Sequence, residues 1–593
     1  MRSALSERIS SLAQERRRIE PIHFARPKRP EVSVLLLTDG ERAAFSALSA
    51  LRQHGDGRVL DVTVLVRDAH PATARFLSSC TGIETMDARG LPIGDALNAA
   101  AAKARGRYLC FLDGVRVRPG WLHALIESLD ERTVAAASQI RTPANEIVEA
   151  GCGFGAGLRF GDPRTSYVRD LHCTSLRSLL VDARRFAQTG GFPPGDDPLA
   201  CGRALCAELA AQHLRVVYQP ESVVTARRLH RGPTSATSGL PEGTGDRGTI
   251  LVIDDIVPLF DRSAGGKRMF ALCTLMRELG YRVIYVPDDG GEHQPYTRAL
   301  QQVGVEVRYR WNGRTPLQDV ASLDQTIDIA WLSRPQIAEK YVPLVRAAGT
   351  KHIIYDTVDL HYRRTGSARM RDLELHLARA CDRTVVTTDA ERAILLSEGI
   401  ADPFIVPVVE PERSAVASSP VHRENILFLG NYTHAPNVDA AAWLCADILP
   451  LVRADMPHVS LTLAGSEPSA AVRALAGAGV HVTGYVPDLE PFFACHRVFA
   501  APLRYGAGIK GKVVEALAAG LPVVTTPLGA EGIDLIDGVD VCIADDARAF
   551  ASAITRLYRD DEFWNRIAQG GMLAARRFTP DAVRVQLANA LQF

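Results

Sequence analysis

The feature that most constrains the fold is a recurrence of short, β-branched apolar runs separated by stretches with helical periodicity. The first series contains VSVLLL at 32–37, VTVLV at 62–66, RYLCFLD at 107–113 and LRVVYQP at 214–220. Two later series open with TILVIDD at 249–255 and ILFLGN at 426–431. Buried strands that alternate with helices are typical of parallel α/β winding. We therefore predict an α/β protein whose last two series form Rossmann-like halves with a cleft between them.

Two loose segments set the predicted domain boundaries. Residues 228–248 lose periodicity and fill with Gly, Ser, Thr and Pro, which is typical of a linker, and 409–425 is a second such segment. A chain of 593 residues has room for roughly three or four units. We predict a basic N-terminal helix at 1–30, a first domain at 31–227, a linker at 228–248, and two halves at 249–410 and 411–593.

Composition and charge exclude several classes of protein. The formal net charge is +0, so nothing favours a nucleic-acid partner. No apolar run reaches the ~20 residues of a membrane span. The 11 cysteines form no C-x-x-C pair, and we predict reduced thiols in a cytoplasmic protein. The basic, amphipathic start of the chain favours peripheral attachment to the inner face of the cell membrane, or an ordinary helix packed on its own domain.

A glycine-rich loop, GAGIKGKVVEALAAG at 506–520, runs directly into a predicted helix. Glycine lets a ligand approach the backbone amides, and the start of a helix favours an anion. Lys510 and Lys512 add positive charge at the same place. The spacing is neither that of a Walker loop nor that of a Rossmann dinucleotide fingerprint. Glu515 follows within the helix and would accept hydrogen bonds from ribose hydroxyls, so the loop predicts a nucleoside-diphosphate site; a plain turn with solvated lysines is the alternative.

Three motifs together resemble the donor-binding half of family 4 retaining glycosyltransferases, which have the GT-B fold. They are LFLGNYTHAPNVDAAAWL at 427–444, VHVTGYVPDLEPFFACHRVFAAPL at 480–503 and GAGIKGKVVEALAAGLPVVTTPLGAEGI at 506–533. The resemblance extends back to about residue 248 through DRSAGGKRMFALCTLMRELGY at 261–281 and YDTVDLHYRR at 355–364. It implies transfer of a sugar, with retention, from a nucleotide-sugar donor to a glycan or lipid-linked acceptor, without a metal ion or other cofactor.

The resemblance also assigns roles to individual residues. Glu515 matches the second glutamate of the family's E-x7-E motif, whereas the first is replaced by Ala507. The sugar hydroxyls would then be bound by backbone amides of Gly506 to Gly508, and the diphosphate by Lys510 or Lys512. The resemblance also implies Gly430 and Asn431 beside the phosphates and Val486 beside the base. From the opposite half it implies four hydrogen-bond donors: Gly265, Gly266, Lys267 and Arg268. Asp359 and His361 would orient the acceptor or the sugar. We assign catalytic roles to Asp359, His361 and Lys512.

The first 227 residues resemble a family 2 glycosyltransferase of the GT-A fold, on the motifs VSVLLLTDG at 32–40, RYLCFLDGVRVRPGWL at 107–122, GGF at 190–192 and LRVVYQPESVV at 214–224. That family holds a divalent metal with Asp-x-Asp, but here Asp113 is followed by Val115, which cannot bind a metal. The acidic pair that includes the general base falls on Cys201 and Gly202, with Asp196 and Asp197 as possible substitutes. The resemblance therefore implies a domain that has kept the fold and lost the activity.

The leading hypothesis is one active glycosyltransferase in 248–593, acting in bacterial surface-polysaccharide synthesis. The alternatives are a bifunctional enzyme with both parts active, a non-catalytic glycan-binding or scaffold protein, and a nucleotide-sugar epimerase of the same architecture.

Overall fold

The computed structural model describes residues 20–67, 70–151, 158–226, 247–323, 326–413, 419–506 and 508–593. The chain divides into two compact units, Met1–Gly243 and Thr244–Phe593. The predicted linker lies outside the described residues except for 247–248, as does most of the predicted N-terminal helix. Residues 20–30 are not helical; His23 instead forms a bridge with Thr81.

The first unit is built on one mixed sheet. Its strands are β1 Val32–Thr38, β2 Leu60–Val66, β3 Ile83–Asp87, β4 Tyr108–Asp113, β5 Val115–Val117, β6 Thr133–Arg141, β7 Ile147–Ala150, β8 Arg169–Asp170, β9 Ser178–Asp182 and β10 Arg215–Ala226. Its helices are α1 Glu41–Gln53, α2 Pro71–Ser79, α3 Ile93–Ala101, α4 Trp121–Glu127, α5 Ala183–Gln188 and α6 Pro198–Ala211. The strand order is β3-β2-β1-β4-β9-β6-β10-β5, with β7 paired to β6 and β8 to β10.

The first four strands in that order run parallel, whereas β9 is antiparallel to both β4 and β6. Buried side chains cover both faces of this sheet. The assignment of this unit to the GT-A fold remains a prediction. Cys173 is disulfide-bonded, which corrects the prediction of reduced thiols at that residue; Cys110, Cys206 and Cys273 are free and buried.

The second unit contains two parallel sheets. Strands β11 Thr249–Asp254, β12 Arg282–Pro287, β13 Glu306–Val307, β14 Ile329–Ser333, β15 His352–Asp356, β16 Arg383–Val386 and β17 Phe404–Ile405 form one, in the order β13-β12-β11-β14-β15-β16-β17. Strands β18 Glu424–Leu429, β19 Leu461–Ala464, β20 Val480–Gly484, β21 His496–Ala501, β22 Val523–Thr525 and β23 Cys542–Ile543 form the other, in the order β20-β19-β18-β21-β22-β23. These orders confirm the predicted α/β class with Rossmann-like sheets.

Helices flank both sheets. With the first sheet are α7 Ala264–Glu278, α8 Tyr296–Gln302, α9 Pro316–Ala321, α10 Pro335–Ala347, α11 His361–Thr365, α12 Ala368–Ala380 and α13 Asp389–Ser397. Later in the chain follow α14 Ala435–Trp443, α15 Leu449–Asp455, α16 Ala470–Arg473, α17 Glu490–Cys495, α18 Gly511–Ala518, α19 Pro527–Ala530, α20 Ala547–Arg559, α21 Asp561–Ala575 and α22 Pro580–Ala590. A π-helical turn, Leu444–Ile448, joins α14 to α15.

The last helix ties the two sheets together. Val583 and Leu587 of α22 are buried in the core of the first sheet, although the helix follows the second sheet in sequence. Arg383 donates hydrogen bonds to the carbonyls of Asn589 and Ala590 at the end of this helix. The two sheets are therefore held together by the chain that crosses between them at 406–413 and by α22. None of the helices in the described residues has the length and apolarity needed to span a membrane.

Candidate active site

A cleft of about 730 Å³ lies between the two sheets of the second unit. The first half contributes residues that follow the carboxyl ends of β11, β14 and β15, among them Ser263, Gly265, Arg334 and Asp359. The second half contributes Gly430 and Asn431 after β18, Gly465 and Ser466 after β19, and Val486 after β20. After β21 it contributes Leu503, Tyr505, Gly506 and 508–512. The carboxyl edge is where open parallel sheets bind ligands, and the volume is that of a small-molecule site.

The glycine loop reaches across this cleft. Gly506 and Gly508 have φ angles of 134° and 70°, in the left-handed region that glycine tolerates best. A Cβ added at Gly508 would lie 3.5 Å from Asp359 Cβ, and one at Gly511 would lie 3.4 Å from Ala264 Cβ. The first turns of α18 and α7 therefore approach each other from opposite halves. The positive ends of the two helix dipoles therefore lie at one point of the cleft, which favours an anion. Ala507 lies outside the described residues.

Lys510 and Lys512 bring two ammonium groups to this point. The Lys510 ammonium donates to the Gly508 carbonyl, and the Lys512 ammonium donates to Asn437 Oδ1 and lies 4.9 Å from the centre of the Phe428 ring. Burial lowers the pKa of Lys510. Burial and the nearby Lys510 lower the pKa of Lys512 to about 7. Within the described residues neither lysine forms an ion pair with a carboxylate, so both charges are available to an anionic ligand.

Glu515 lines the cleft from the first turns of α18 and is held by two cations. Lys267 Nζ lies 3.3 Å from Glu515 Oε1, and Arg413 Nη2 lies 3.1 Å from the same oxygen. Lys267 Nζ also lies 2.7 Å from Glu410 Oε2. The sequence prediction placed Lys267 on the donor phosphates. In the structure its ammonium pairs with two carboxylates, which favours a part in holding Glu515, and its contact with the donor stays a prediction.

The other residues of the first helical turn differ in their exposure to the cleft. Gly265 lines it, with room for a Cβ at 3.6 Å from Arg334 Nη2. Gly266 does not: a Cβ there would lie 2.7 Å from the Leu259 carbonyl oxygen, so this glycine permits close packing. Gly266 is therefore a correction to the predicted donor-binding set.

Arg268, in the same turn, lines the cleft but is also bound by other groups of the protein. Its side chain is 2% exposed and lies 2.7 Å from Asp356 Oδ2, while its other nitrogens donate to the carbonyls of Val406 and Pro407. The predicted contact of Arg268 with the donor phosphates therefore stays a prediction. Arg268 fixes the segment that crosses between the two sheets.

Asp359 and His361 occupy different positions. Asp359 lines the cleft, whereas His361 is buried behind it, with Nδ1 at 2.9 Å from Asp359 Oδ1 and 3.7 Å from Glu374 Oε1. Burial opposes the charged form of each group, but their mutual hydrogen bond outweighs it, lowering the pKa of Asp359 and raising that of His361. We therefore correct His361 from a group that contacts the substrate to one that orients Asp359. The preceding Val358 has φ 62°, a strained conformation for a β-branched residue, of the kind that clusters at functional sites.

The second half shapes the opposite wall. A Cβ at Gly465 would lie 1.8 Å from the Gly430 carbonyl oxygen, so these two loops require glycine for their close approach. Asn431 donates from Nδ2 to the Arg262 carbonyl at 3.2 Å, which joins the two halves at the rim. Val486 lines the cleft, next to Tyr485, whose hydroxyl donates to Asp261 Oδ2 at 2.6 Å.

Sequence reasoning missed Arg413, Glu410 and Asn437, although all three line the cleft. Their partners lie far away in sequence; the contact from Arg413 to Glu515, for example, spans 102 residues. The loss of periodicity in 409–425 predicts only a loose segment. The charged residues within it are the sequence signal that could have identified Glu410 and Arg413.

In the first unit, the two positions at which the resemblance expects an acidic pair hold residues that pack in the interior. Cys201 is 1% exposed on α6, and a Cβ at Gly202 would lie 1.8 Å from the Thr174 carbonyl oxygen. The proposed substitutes are also engaged: Asp197 caps the start of α6 by accepting from Leu199 N, and Asp196 accepts from Ile93 N. Within the described residues, no group of three or more His, Cys, Asp or Glu side chains is arranged to hold a metal ion.

Comparison with known proteins identifies one region of similarity. Residues 423–560 match the family model described as "Glycosyl transferases group 1". The "uncharacterized 44.6 kDa protein in cps region" of Klebsiella pneumoniae is 29% identical over 167 residues, covering 27% of this chain and 42% of that protein. The phosphatidyl-myo-inositol mannosyltransferase of Mycobacterium leprae is 32% identical over 179 residues, covering 29% and 47%. The chain thus spans less than half the length of these curated relatives.

Solved structures match over 58% of this chain. Sucrose-phosphate synthase of Thermosynechococcus elongatus matches with a TM-score of 0.47 at 17% identity. The alignment covers 58% of this chain and 98% of the synthase chain. HepE of Anabaena, in complex with UDP and glucose, has a TM-score of 0.48 at 14% identity with the same coverage. The family match contains the glycine loop, both lysines and Glu515, and it supports a glycosyltransferase domain in this half of the cleft.

Proposed function

We propose that this chain is a glycosyltransferase that moves a sugar from a nucleoside-diphosphate donor, bound in the cleft of the second unit, to a glycan or lipid-linked acceptor. The observation that carries the proposal is the pair Lys510 and Lys512. Both ammonium groups lie at the start of α18 with only neutral hydrogen-bond acceptors as partners among the described residues. An anion with two or more charges fits this arrangement, and Glu515 lies one turn further along the same helix.

Each part of the donor has a matching group. The diphosphate accepts hydrogen bonds from the first amides of α7 and α18 and is neutralised by Lys510 and Lys512. The ribose donates its hydroxyls to Glu515, the base lies against Val486, and the sugar lies near Gly508 and Asp359. As the bond from the sugar to the diphosphate breaks, negative charge develops on the leaving oxygen, and preorganised donors in a cleft stabilise it most.

The finer assignments follow from the sequence resemblance and are part of the proposal. They are retention of configuration, a donor site that works without a metal ion, action in the cytoplasm or on the inner face of the membrane, and a role in surface-polysaccharide synthesis. The similarity to a Klebsiella protein of the cps region supports the last of these. We propose that the first unit is catalytically inactive, because Val115, Cys201 and Gly202 replace the groups that its family would need.

Calorimetric titration of the full chain with UDP-, GDP- and ADP-sugars tests the proposal. We expect one class of donor to bind equally well with and without EDTA. The variant Glu515→Gln should weaken this binding by about tenfold or more, because a hydrogen bond to a charged group contributes about 1.5–3 kcal/mol. Binding that requires a divalent metal would instead favour a catalytically active first unit and a bifunctional enzyme. Binding without any turnover of donor in the presence of glycan acceptors would favour a scaffold protein, and turnover of the donor alone would favour an epimerase.

A further inference from the structure

An ion network at the wall of the cleft joins both halves of the second unit. It consists of Glu410, Lys267, Glu515, Arg413 and Glu490. Lys267 comes from α7 of the first half, Glu515 from α18 of the second, and Glu410 and Arg413 from the segment that crosses between them. Glu515 therefore depends for its position on three separate parts of the chain.

Both cations bind the same oxygen of Glu515. Lys267 Nζ and Arg413 Nη2 contact Oε1, at 3.3 Å and 3.1 Å. No hydrogen bond or ion pair within the described residues involves Oε2, and the residue lines the cleft. A carboxylate held through one oxygen leaves the two lone pairs of the other available to accept hydrogen bonds from a ligand.

Glu410 anchors this arrangement. Its side chain is 3% exposed, its backbone N–H donates to the Phe578 carbonyl at 2.8 Å, and its Oε2 lies 2.7 Å from Lys267 Nζ. A buried carboxylate is costly unless it is paired, so Lys267 is retained between the two glutamates rather than released towards the phosphates. Arg413 is fixed in turn, since its guanidinium stacks on the Phe493 ring at 4.9 Å and pairs with Glu490.

We propose that Glu410, Lys267 and Arg413 are positioning residues for recognition of the ribose. This inference rests on the proposed function. It says that the enzyme prefers a ribonucleotide to its 2′,3′-dideoxy analogue because Lys267 pairs with both Glu410 and Glu515 and so holds Glu515 in place. Because Lys267 belongs to the first half, the ribose acceptor is correctly placed only when the two halves are together. None of the three positioning residues needs to touch the donor.

The test compares ribose discrimination between variants by calorimetry. UDP, GDP and ADP are each titrated against their 2′,3′-dideoxy analogues, and the best ligand is carried forward. The wild type should prefer the ribose form by about tenfold or more. In Lys267→Met and in Glu410→Ala this preference should fall to within about twofold of unity, while the dideoxy analogue keeps its wild-type affinity. Lys267→Arg should restore most of the preference, since an arginine can still bridge two carboxylates.

The controls separate this inference from the function on which it rests. Lys351→Met removes a lysine that pairs with Asp328 outside the cleft and should leave the preference unchanged. If Lys267→Met weakens both forms of the nucleotide equally, Lys267 binds the phosphates and the inference is wrong although the proposed function stands. If Glu410→Ala folds, as judged by its melting curve, and keeps full discrimination, the inference is also wrong. Absence of binding by the wild type overturns the proposed function and the inference together.

Discussion

At the scale of single residues, the chemistry of the cleft depends on lysines that pair with no carboxylate in the described part of the chain. Most cations around the site are paired: Lys267 with Glu410, Arg268 with Asp356 and Arg334 with Asp254. Lys512 is partly buried and donates only to an amide oxygen, Asn437 Oδ1, among the described residues. A lysine in this setting gains a counterion when an anionic ligand binds, and its protonation is therefore linked to binding.

This linkage predicts a pH dependence with a definite sign. In the empty cleft, burial and Lys510 lower the pKa of Lys512 to about 7. A bound diphosphate favours the ammonium, so the affinity is highest below pH 7 and falls above it, by up to about tenfold per pH unit. Calorimetry at several pH values, in buffers of different ionisation enthalpy, should show weakening affinity together with proton uptake. In Lys512→Arg the charge persists and the slope should disappear; equal wild-type affinity at pH 6 and pH 9 would contradict the linkage.

The glycine at 508 gives a second prediction at this scale, with a matched control. Gly508 and Gly57 both have left-handed φ angles, 70° and 68°. A Cβ at Gly57 meets nothing within 4 Å, whereas one at Gly508 points into the cleft at 3.5 Å from Asp359 Cβ. Gly57→Ala and Gly508→Ala should each lower stability by about 1–2 kcal/mol, which is the cost of that backbone conformation. Only Gly508→Ala should also weaken donor binding, by about tenfold or more; equal donor affinity in the two variants would place the loop outside the site.

At the scale of secondary-structure elements, the crossing segment and α22 hold the two sheets around the cleft. Arg268 connects them, since its donors reach Asp356 at the end of β15 and the carbonyls of Val406 and Pro407. Removing it leaves a fully buried carboxylate without its cation.

We therefore expect Arg268→Met to lower the stability of the second unit by about 3–5 kcal/mol, the usual cost of breaking a buried ion pair. The measurement is denaturant unfolding of the full chain, followed by tryptophan fluorescence, to which Trp331, buried beside Asp356, contributes. Lys351→Met removes an exposed ion pair and should change stability by less than about 1 kcal/mol. A small change in the free energy of unfolding in Arg268→Met would show that the ion pair with Asp356 is weak. Arg268 could then bind a phosphate.

Strands were predictable from sequence where they are β-branched and buried. The runs at 32–37, 249–255 and 426–431 lie on β1, β11 and β18, because parallel strands covered on both faces leave continuous apolar runs. Strand β6, TVAAASQIR, was not predicted, since alanine has low β-propensity and only its pairing with β9 and β10 shows it to be a strand. The glycine loop was predictable because it is local in sequence. The network around Glu515 was not, since Lys267 lies 248 residues away.

At the scale of the whole molecule, the two units carry unequal sets of functional groups. The second unit has a cleft with two lysines that pair with no carboxylate among the described residues, and strained backbone at Val358. In the first unit, the positions expected for a base are a buried cysteine and a glycine packed against a carbonyl.

The rate of sugar transfer should therefore stay the same after changes in the first unit that would inactivate a metal-dependent enzyme. We expect Asp113→Ala to leave the rate of transfer by the full chain within about twofold of the wild type, and EDTA to have no greater effect. Loss of transfer in Asp113→Ala, or its dependence on added Mn²⁺, would show that the first unit is the working enzyme.

The most direct measurement of the central claim is the steady-state rate of nucleoside-diphosphate release from the preferred donor by wild type, Lys512→Met and Lys351→Met. Stabilisation of the leaving diphosphate by Lys512 predicts that kcat falls about 10²- to 10³-fold in Lys512→Met. Lys351→Met, which lacks a lysine outside the cleft, should match the wild type. A Lys512→Met enzyme that releases the diphosphate at the wild-type rate would contradict the assignment of this cleft as the site of transfer.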